Sequence, residues 1–245
     1  MEEDVSLKKL YALFKFQLNI ALDNKFNLIF SLLFPIVGMV MTIVERTEAS
    51  NSLKLDYDMM LPYISYIIVL SMLFGWIGTI SQLRENGFFK MFTSLSGSKY
   101  YIILVNFLIN LLLNFCQVNI LVGIYFIIVR NYSLMLLFQW NMVIFPCSIF
   151  CFLSLSFLLL IPLKYETLQI VLTTYLVLGM YLLHINFSPI VQFFKFLNLF
   201  AMNIEIGQLI ISPSNNYVLL YMLLLCIIGL LSISRISVFP HKNRG

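Results

Sequence analysis

Long runs of apolar residues, broken by short polar clusters, dominate the chain. Six runs are long enough for a helix to cross a roughly 30 Å hydrocarbon layer, which takes about 20 residues. They extend from Asn27 to Val44, Met60 to Leu83, Tyr100 to Val129, Leu136 to Leu163, Thr167 to Ile185 and Tyr217 to Ser234. The stretches between them differ in character. Residues 1–26 carry Leu7, Leu10, Tyr11, Phe14 and Leu18 on one helical face, with Lys8, Lys15, Asn19 and Lys25 largely elsewhere. That pattern predicts an amphipathic helix lying along the membrane surface. It opens with Glu2, Glu3 and Asp4 and lacks a small-residue cleavage site, so it does not read as a cleaved signal peptide. Residues 84–99, RENGFFKMFTSLSGSK, place Phe88, Phe89, Met91, Phe92 and Leu95 at spacings of 3 and 4 among Arg84, Glu85, Lys90 and Lys99. A short amphipathic helix is expected there, outside the hydrocarbon because ionisable groups inside it cost several kcal/mol. Residues 186–216 are apolar but interrupted by Pro189, Lys195, Glu205, Gly207 and Pro213, which predicts short helices dipping into the outer leaflet instead of a straight span.

Composition supports the same class. The 245 residues are 61% hydrophobic and 11% charged, with a mean hydropathy of +0.95, against about 25% charged in soluble domains. The expectation is an all-α integral membrane protein, one domain over residues 1–245, with six transmembrane helices. Basic residues orient it. With the N-terminus inside, 11 Lys and Arg fall on inner segments and 4 on outer ones, which puts both termini, the 84–99 loop and the Lys164 to Glu166 turn in the cytoplasm. The net charge of +4 then reflects membrane orientation and does not imply nucleic-acid binding.

Three polar features stand out within the runs. Asn106, Asn110, Asn114 and Gln117 follow at spacings of 4, 4 and 3, confining them to a wedge about 80° wide and about 16 Å long on a helix. They are read either as interhelical hydrogen-bonding groups or as the lining of a translocation path. Ser71, Gly75, Gly78, Thr79 and Gln82 recur at helical spacing on the second run, with close packing favoured over a path. Thr173 and Thr174 give the fifth run modest polarity and are added to the candidate path. Pro35 and Pro146 predict bends in the first and fourth runs.

The absences narrow the function. No acidic or basic residue lies deep in any run, which argues against a proton-coupled carrier. No glycine precedes a lysine, so the phosphate-cradling G-x-x-x-x-G-K-[ST] loop is missing. His184 sits near the end of the fifth run without partners for a protease, and Cys116, Cys147, Cys151 and Cys226 lie in apolar runs without clustered His or carboxylate. An enzyme is not expected, and neither a catalytic residue, a metal nor a bound cofactor is assigned.

Arg84-Glu85-Asn86-Gly87, the apolar stretch after it and Ser98-Lys99 resemble the motif R-E-x-G-T-L-E-x-L-L-x-T-P-x-S-R of the type 2 export class of ABC transporter permeases. Arg84, Glu85, Gly87, Phe89, Phe92, Ser98 and Lys99 fit it, while Phe88, Lys90, Leu95 and Ser96 depart from it. Six spans, cytoplasmic termini, the amphipathic start and the broken segment before the last span are similar to the same class. The resemblance implies a cytoplasmic ATPase partner that supplies ATP and Mg chemistry and docks on Arg84, Glu85, Gly87, Phe88, Phe89, Lys90 and Phe92. It also implies a homodimer or a second permease subunit. The uncharged interior, rich in Phe and Met, points to a greasy or amphipathic cargo, and the resemblance to small permeases serving bacteriocin immunity or cytolytic-peptide export implies an amphipathic peptide, with lipid or drug as the alternative and an ATP-independent channel or scaffold as the rival class. Plasma-membrane localisation is expected, and many Ile, Phe, Asn and Lys with few Ala suggest an AT-rich, Gram-positive bacterial source.

Overall fold

In a computed structural model, described for residues 2–23, 25–49, 56–161, 163–183, 197–211 and 216–236, the chain is helical throughout, with no strand among the described residues. α1 (Glu2–Asp23) and α2 (Lys25–Ala49) are followed by α3 (Tyr57–Leu70). A π-helical segment (Ser71–Gly78) then runs into α4 (Thr79–Glu85). Next come α5 (Phe88–Ser96), α6 (Lys99–Val129) and α7 (Leu134–Ser156), the last continued by a 3-10 turn (Phe157–Leu160). α8 (Tyr165–Leu183), α9 (Leu199–Ile211) and α10 (Asn216–Arg235) complete the order.

Among the described residues, five helical stretches are long and apolar enough to cross a membrane: Leu28–Arg46, Tyr57–Glu85, Lys99–Val129, Leu134–Leu160 and Tyr165–Leu183. By length and composition this is a multi-pass membrane protein. The run expected as a sixth span, Tyr217 to Ser234, falls on α10, whose apolar stretch Leu220–Arg235 is shorter than these five and is not counted with them. The second run is not one regular α-helix, because its middle widens into the π segment. α2 continues to Ala49, and Asp56 caps α3 by accepting from the Asp58 amide at 3.1 Å. Helices continue through Pro35 and Pro146, and also through Pro62.

α3, the π segment and α7 form the centre. Met60, Ile67, Ile68, Met72, Leu73 and Trp76 are fully enclosed, as are Trp140, Cys147 and Phe150 opposite them. At one end Tyr57 stacks on Trp140 (centroids 6.2 Å), and Tyr125 meets the same indole edge-on at 5.7 Å. The Trp140 indole donates to the Tyr57 carbonyl at 3.4 Å, so the ring's polar group is satisfied within the cluster.

α9 lies inside this assembly and not on its surface. Asn198 caps it through the Phe200 amide (3.0 Å) and donates to the Gly179 carbonyl of α8 (2.8 Å). Ser65 of α3 donates to the Phe200 carbonyl at 3.0 Å, and Tyr57 donates to the Gly207 carbonyl at 2.9 Å. Thirteen residues are too few for a full crossing, so a short helix at such depth depends on these side-chain bonds. His184 and, within the broken 186–216 segment, residues 186–196 and 212–215 lie outside the described residues.

Close approach is set by glycine. A Cβ at Gly229 of α10 would stand 2.6 Å from the Leu153 carbonyl oxygen of α7, a backbone atom that cannot swing aside. Gly229→Leu is therefore expected to separate α10 from α7 and destabilise the protein by about 1–3 kcal/mol. Thermal unfolding in detergent, with Gly123→Leu as the comparison because no atom lies within 4 Å of that Cβ position, checks it: only the Gly229 variant should lose stability.

Candidate functional site

The 84–99 segment turns on two glycines. Asn86 ends α4, and Gly87 adopts φ 78°, a left-handed conformation that residues with a Cβ rarely take, so the chain turns sharply into α5. Gly97 (φ 81°) ends α5 in the same way, and the Ser98 hydroxyl caps α6 by accepting from the Tyr100 amide at 3.3 Å. The result is a nine-residue helix held as a rigid crossbar between two long apolar helices.

Its apolar fan is divided. Phe89 is wholly enclosed in the core, whereas Phe88 (47% exposed), Met91 (45%) and Leu95 (62%) form the outward edge at i, i+3 and i+7. Phe92 lies between, its ring 5.2 Å from that of Phe16 on α1. The apolar fan is thus partnered in part by the chain itself. The N-terminal helix folds back over α5 and takes up part of the ridge. α1 is likewise rotated from its expected setting: Leu13, Phe14, Leu18 and Ala21 pack against the bundle, while Tyr11 is 69% exposed. Between α1 and α5 lies an apolar groove of about 370 Å³ bounded by Ala12, Phe16, Phe92 and Leu95.

The polar residues of the motif are tethers. Arg84, expected to lie in water, is only 2% exposed, and its guanidinium donates to the Leu159 carbonyl in the 3-10 turn after α7 at 2.6 Å. Glu85, on the surface, accepts from the first amide of α8, that of Tyr165, at 2.7 Å. A carboxylate at a helix N-terminus satisfies an otherwise unpaired N–H and complements the helix dipole. Lys99 donates to the Ser234 and Ile236 carbonyls at the end of α10 (2.7 and 2.9 Å), the opposite complement at a C-terminus. Lys90 is exposed on α5.

The amide stripe faces protein along its whole length. Asn106, Asn110, Asn114 and Gln117 are all under 8% exposed. Asn110 donates to the backbone carbonyl (2.8 Å) and side-chain oxygen (3.0 Å) of Asn106, and accepts from Ser71 at 3.2 Å. Asn114 donates to Ser148 of α7 at 3.4 Å, and Gln117 donates to Ser31 of α2 at 2.8 Å. One stripe thus links α6 to three neighbours. Gly75, in the π segment, allows the approach, since a Cβ there would fall 2.1 Å from the Asn110 side-chain oxygen.

A cavity of about 320 Å³ opens where the stripe, α2, the π segment and the end of α1 meet. Ser31, Ser71, Gly75, Asn110 and Gln117 form its buried wall, with Thr79, Gln82 and Asp23 also lining it. The second-run residues read as a packing stripe therefore line a space together with Asn110 and Gln117. Thr173 and Thr174 are not brought to it. They are exposed on α8, each donating to the carbonyl one turn back at 2.8 Å. Ser31 is passed over by the sequence reading. Its signal is a hydroxyl within the otherwise apolar NLIFSLLF, a hint that becomes specific only when Gln117 is known to face it.

Against models of known families, characterised proteins and solved structures, the chain gives no match.

Removing the Arg84 guanidinium leaves the Leu159 carbonyl unpaired in a buried place. Arg84→Met is expected to cost about 1–3 kcal/mol, and Phe88→Ala, on the exposed edge, within about 0.5 kcal/mol of nothing. Detergent unfolding curves of the two variants check the ordering.

Proposed function

We propose that this chain is the membrane-spanning permease subunit of an ATP-driven exporter, of the type 2 export class of ABC transporters. The observation that carries the reading is the crossbar α5, tethered on its inner edge and apolar on its outer edge. A partner pressing on Phe88, Met91 and Leu95 pushes a helix that cannot slide independently, because Phe89 is locked in the core and the flanking Arg84, Glu85 and Lys99 are bonded to α7, α8 and α10. Exposed aromatic and aliphatic side chains on a rigid element suit the anchor positions of a protein interface. Glu85 and Lys90 beside them set its register by charge.

In this reading a separate cytoplasmic ATPase binds ATP and Mg, and its closure is transmitted through α5. The permease works as a homodimer or with a second permease subunit, in the plasma membrane, with both termini, the 1–26 helix and the 84–99 crossbar on the cytoplasmic side. α9 belongs to the outer leaflet, and α10 is the sixth span. The roles of the expected docking residues divide. Phe88 and Lys90 face the partner with Met91 and Leu95, whereas Arg84, Phe89 and Gly87 shape and anchor the crossbar and Phe92 joins it to α1. The amide stripe supplies the polar part of the path, and the exposed face of α8 with Thr173 and Thr174 turns toward the second permease half. An uncharged, lightly polar interior supports an amphipathic peptide cargo, with lipid or drug as the second choice.

Affinity purification of the chain from its native membrane tests this. An ATPase subunit should accompany the wild-type chain and be lost from Phe88→Asp and Leu95→Asp variants that still insert and elute as monodisperse protein. A wild-type chain that purifies without an ATPase, or variants whose ATPase stays bound and cargo-stimulated, overturns the proposal. Asn110→Leu with Asn114→Leu should lower export of a labelled amphipathic peptide from vesicles with the complex intact. Loss of folded protein instead assigns those residues to packing alone.

A further inference from the structure

We infer that the cavity between α1, α2, the π segment and α6 is a receptor for a primary ammonium group carried on a short apolar chain. The hydrogen bonds of its wall decide the chemistry. The Ser71 hydroxyl donates to Asn110, both amide bonds of Asn110 run to Asn106, and the Ser31 hydroxyl donates to the Leu28 carbonyl at 2.9 Å. The Gln117 amide nitrogen donates to Ser31. Each donor group of the buried wall thus makes at least one bond, and one acceptor is left with none. The side-chain oxygen of Gln117 has no partner although the residue is only 7% exposed. A buried, unpaired amide oxygen costs about 1–3 kcal/mol, a deficit that an incoming N–H donor removes.

Charge and size point the same way. Among the described residues, Asp23 is the one ionisable side chain lining the cavity, so a cation is attracted and an anion repelled. Leu28, Leu70 and Leu113 supply an apolar portion for a hydrocarbon chain. At about 320 Å³ the space is twice the roughly 150 Å³ known to admit benzene into a protein. A quaternary ammonium of equal charge cannot satisfy Gln117, since it has no N–H. The site therefore selects for hydrogen-bond donation as well as charge. Two sources carry this chemistry, a free alkylamine and the headgroup of an aminophospholipid. The inference does not rest on the exporter reading, because it concerns binding by the isolated chain.

The test uses the full chain in phosphatidylcholine nanodiscs, titrated with radiolabelled n-octylamine against empty discs. Saturable binding is expected, with octyltrimethylammonium at least tenfold weaker. Gln117→Leu should weaken octylamine binding at least fivefold. Thr79→Met, which fills the space without touching the amide bonds, should do the same with unchanged helicity and elution. Discs containing phosphatidylethanolamine separate the sources: a rise in the apparent Kd for octylamine marks the lipid headgroup as the occupant, and an unchanged value marks the free amine. The proposal is overturned by the absence of a saturable component, by equal affinity for the two compounds, or by binding that survives in both variants. A negative result leaves co-purification of an ATPase unaffected, so the two readings fail separately.

Discussion

A carboxamide within a long apolar helix has to find its partners inside the protein, because lipid offers none and a backbone carbonyl one turn back, as Asn106 gives Asn110, meets only one of its donors. That constraint organises the bundle around α6. Four amides on one face demand polar partners at several depths, and Ser71 from the π segment, Ser148 from α7 and Ser31 from α2 each supply one bond, while the side-chain oxygens of Asn114 and Gln117 are left without a partner. Each such contact contributes only about 0.6 kcal/mol, so the stripe adds little to stability. Leaving one of its amides unpaired costs more than any single contact gains. The stripe therefore acts as a register key: α2, the π segment and α7 can slide or rotate against α6 only by orphaning buried polar groups.

The π segment is the counterpart of that key. Widening the helix over Ser71–Gly78 places Ser71 and Gly75 together against Asn110, the first as a donor and the second as empty room. A regular helix would carry the same residues with a different phase beyond Ser71, and Thr79 and Gln82 would turn with it. Single π turns recur where a side chain must be aimed in spite of the helical repeat. Here the aim is toward the amides and the cavity beside them.

Much of this is legible in the sequence and some of it is not, for identifiable reasons. Span positions follow from run length, and the capping of α6 by Ser98 and the glycine turns at 87 and 97 follow from residue type. The amide stripe is visible because its period matches a helix. The division of the α5 fan is not visible, since Phe88 and Phe89 are equivalent until α1 folds over one edge of the helix and the core closes on the other. Arg84 is misleading for a related reason: a charged residue beside an apolar run reads as solvated, yet a carbonyl left free by the 3-10 turn at Leu159 gives it a buried place. The π segment leaves no mark in composition, because Gly75 and Gly78 serve equally well in ordinary close packing. Ser31 and Gln117 are 86 residues apart, and no local pattern joins them.

Under the exporter reading, these parts form one mechanical line. α4 is seven residues long, about 10 Å of helix, and it joins the tethered end of α5 directly to the π segment. A push on α5 that tilts α4 must either bend at the Arg84 anchor or be absorbed where the helix is already widened. The anchor is a charge-assisted bond in a buried place, stiffer than a π turn, which exchanges i+5 for i+4 bonds with a shift of about one residue. Displacement is then taken up at Ser71–Gly78, where the wall of the cavity and the partner of Asn110 are located. Spatial adjacency alone does not establish coupling; what the line requires is an element with two packings, and the π segment is the place where the backbone provides one.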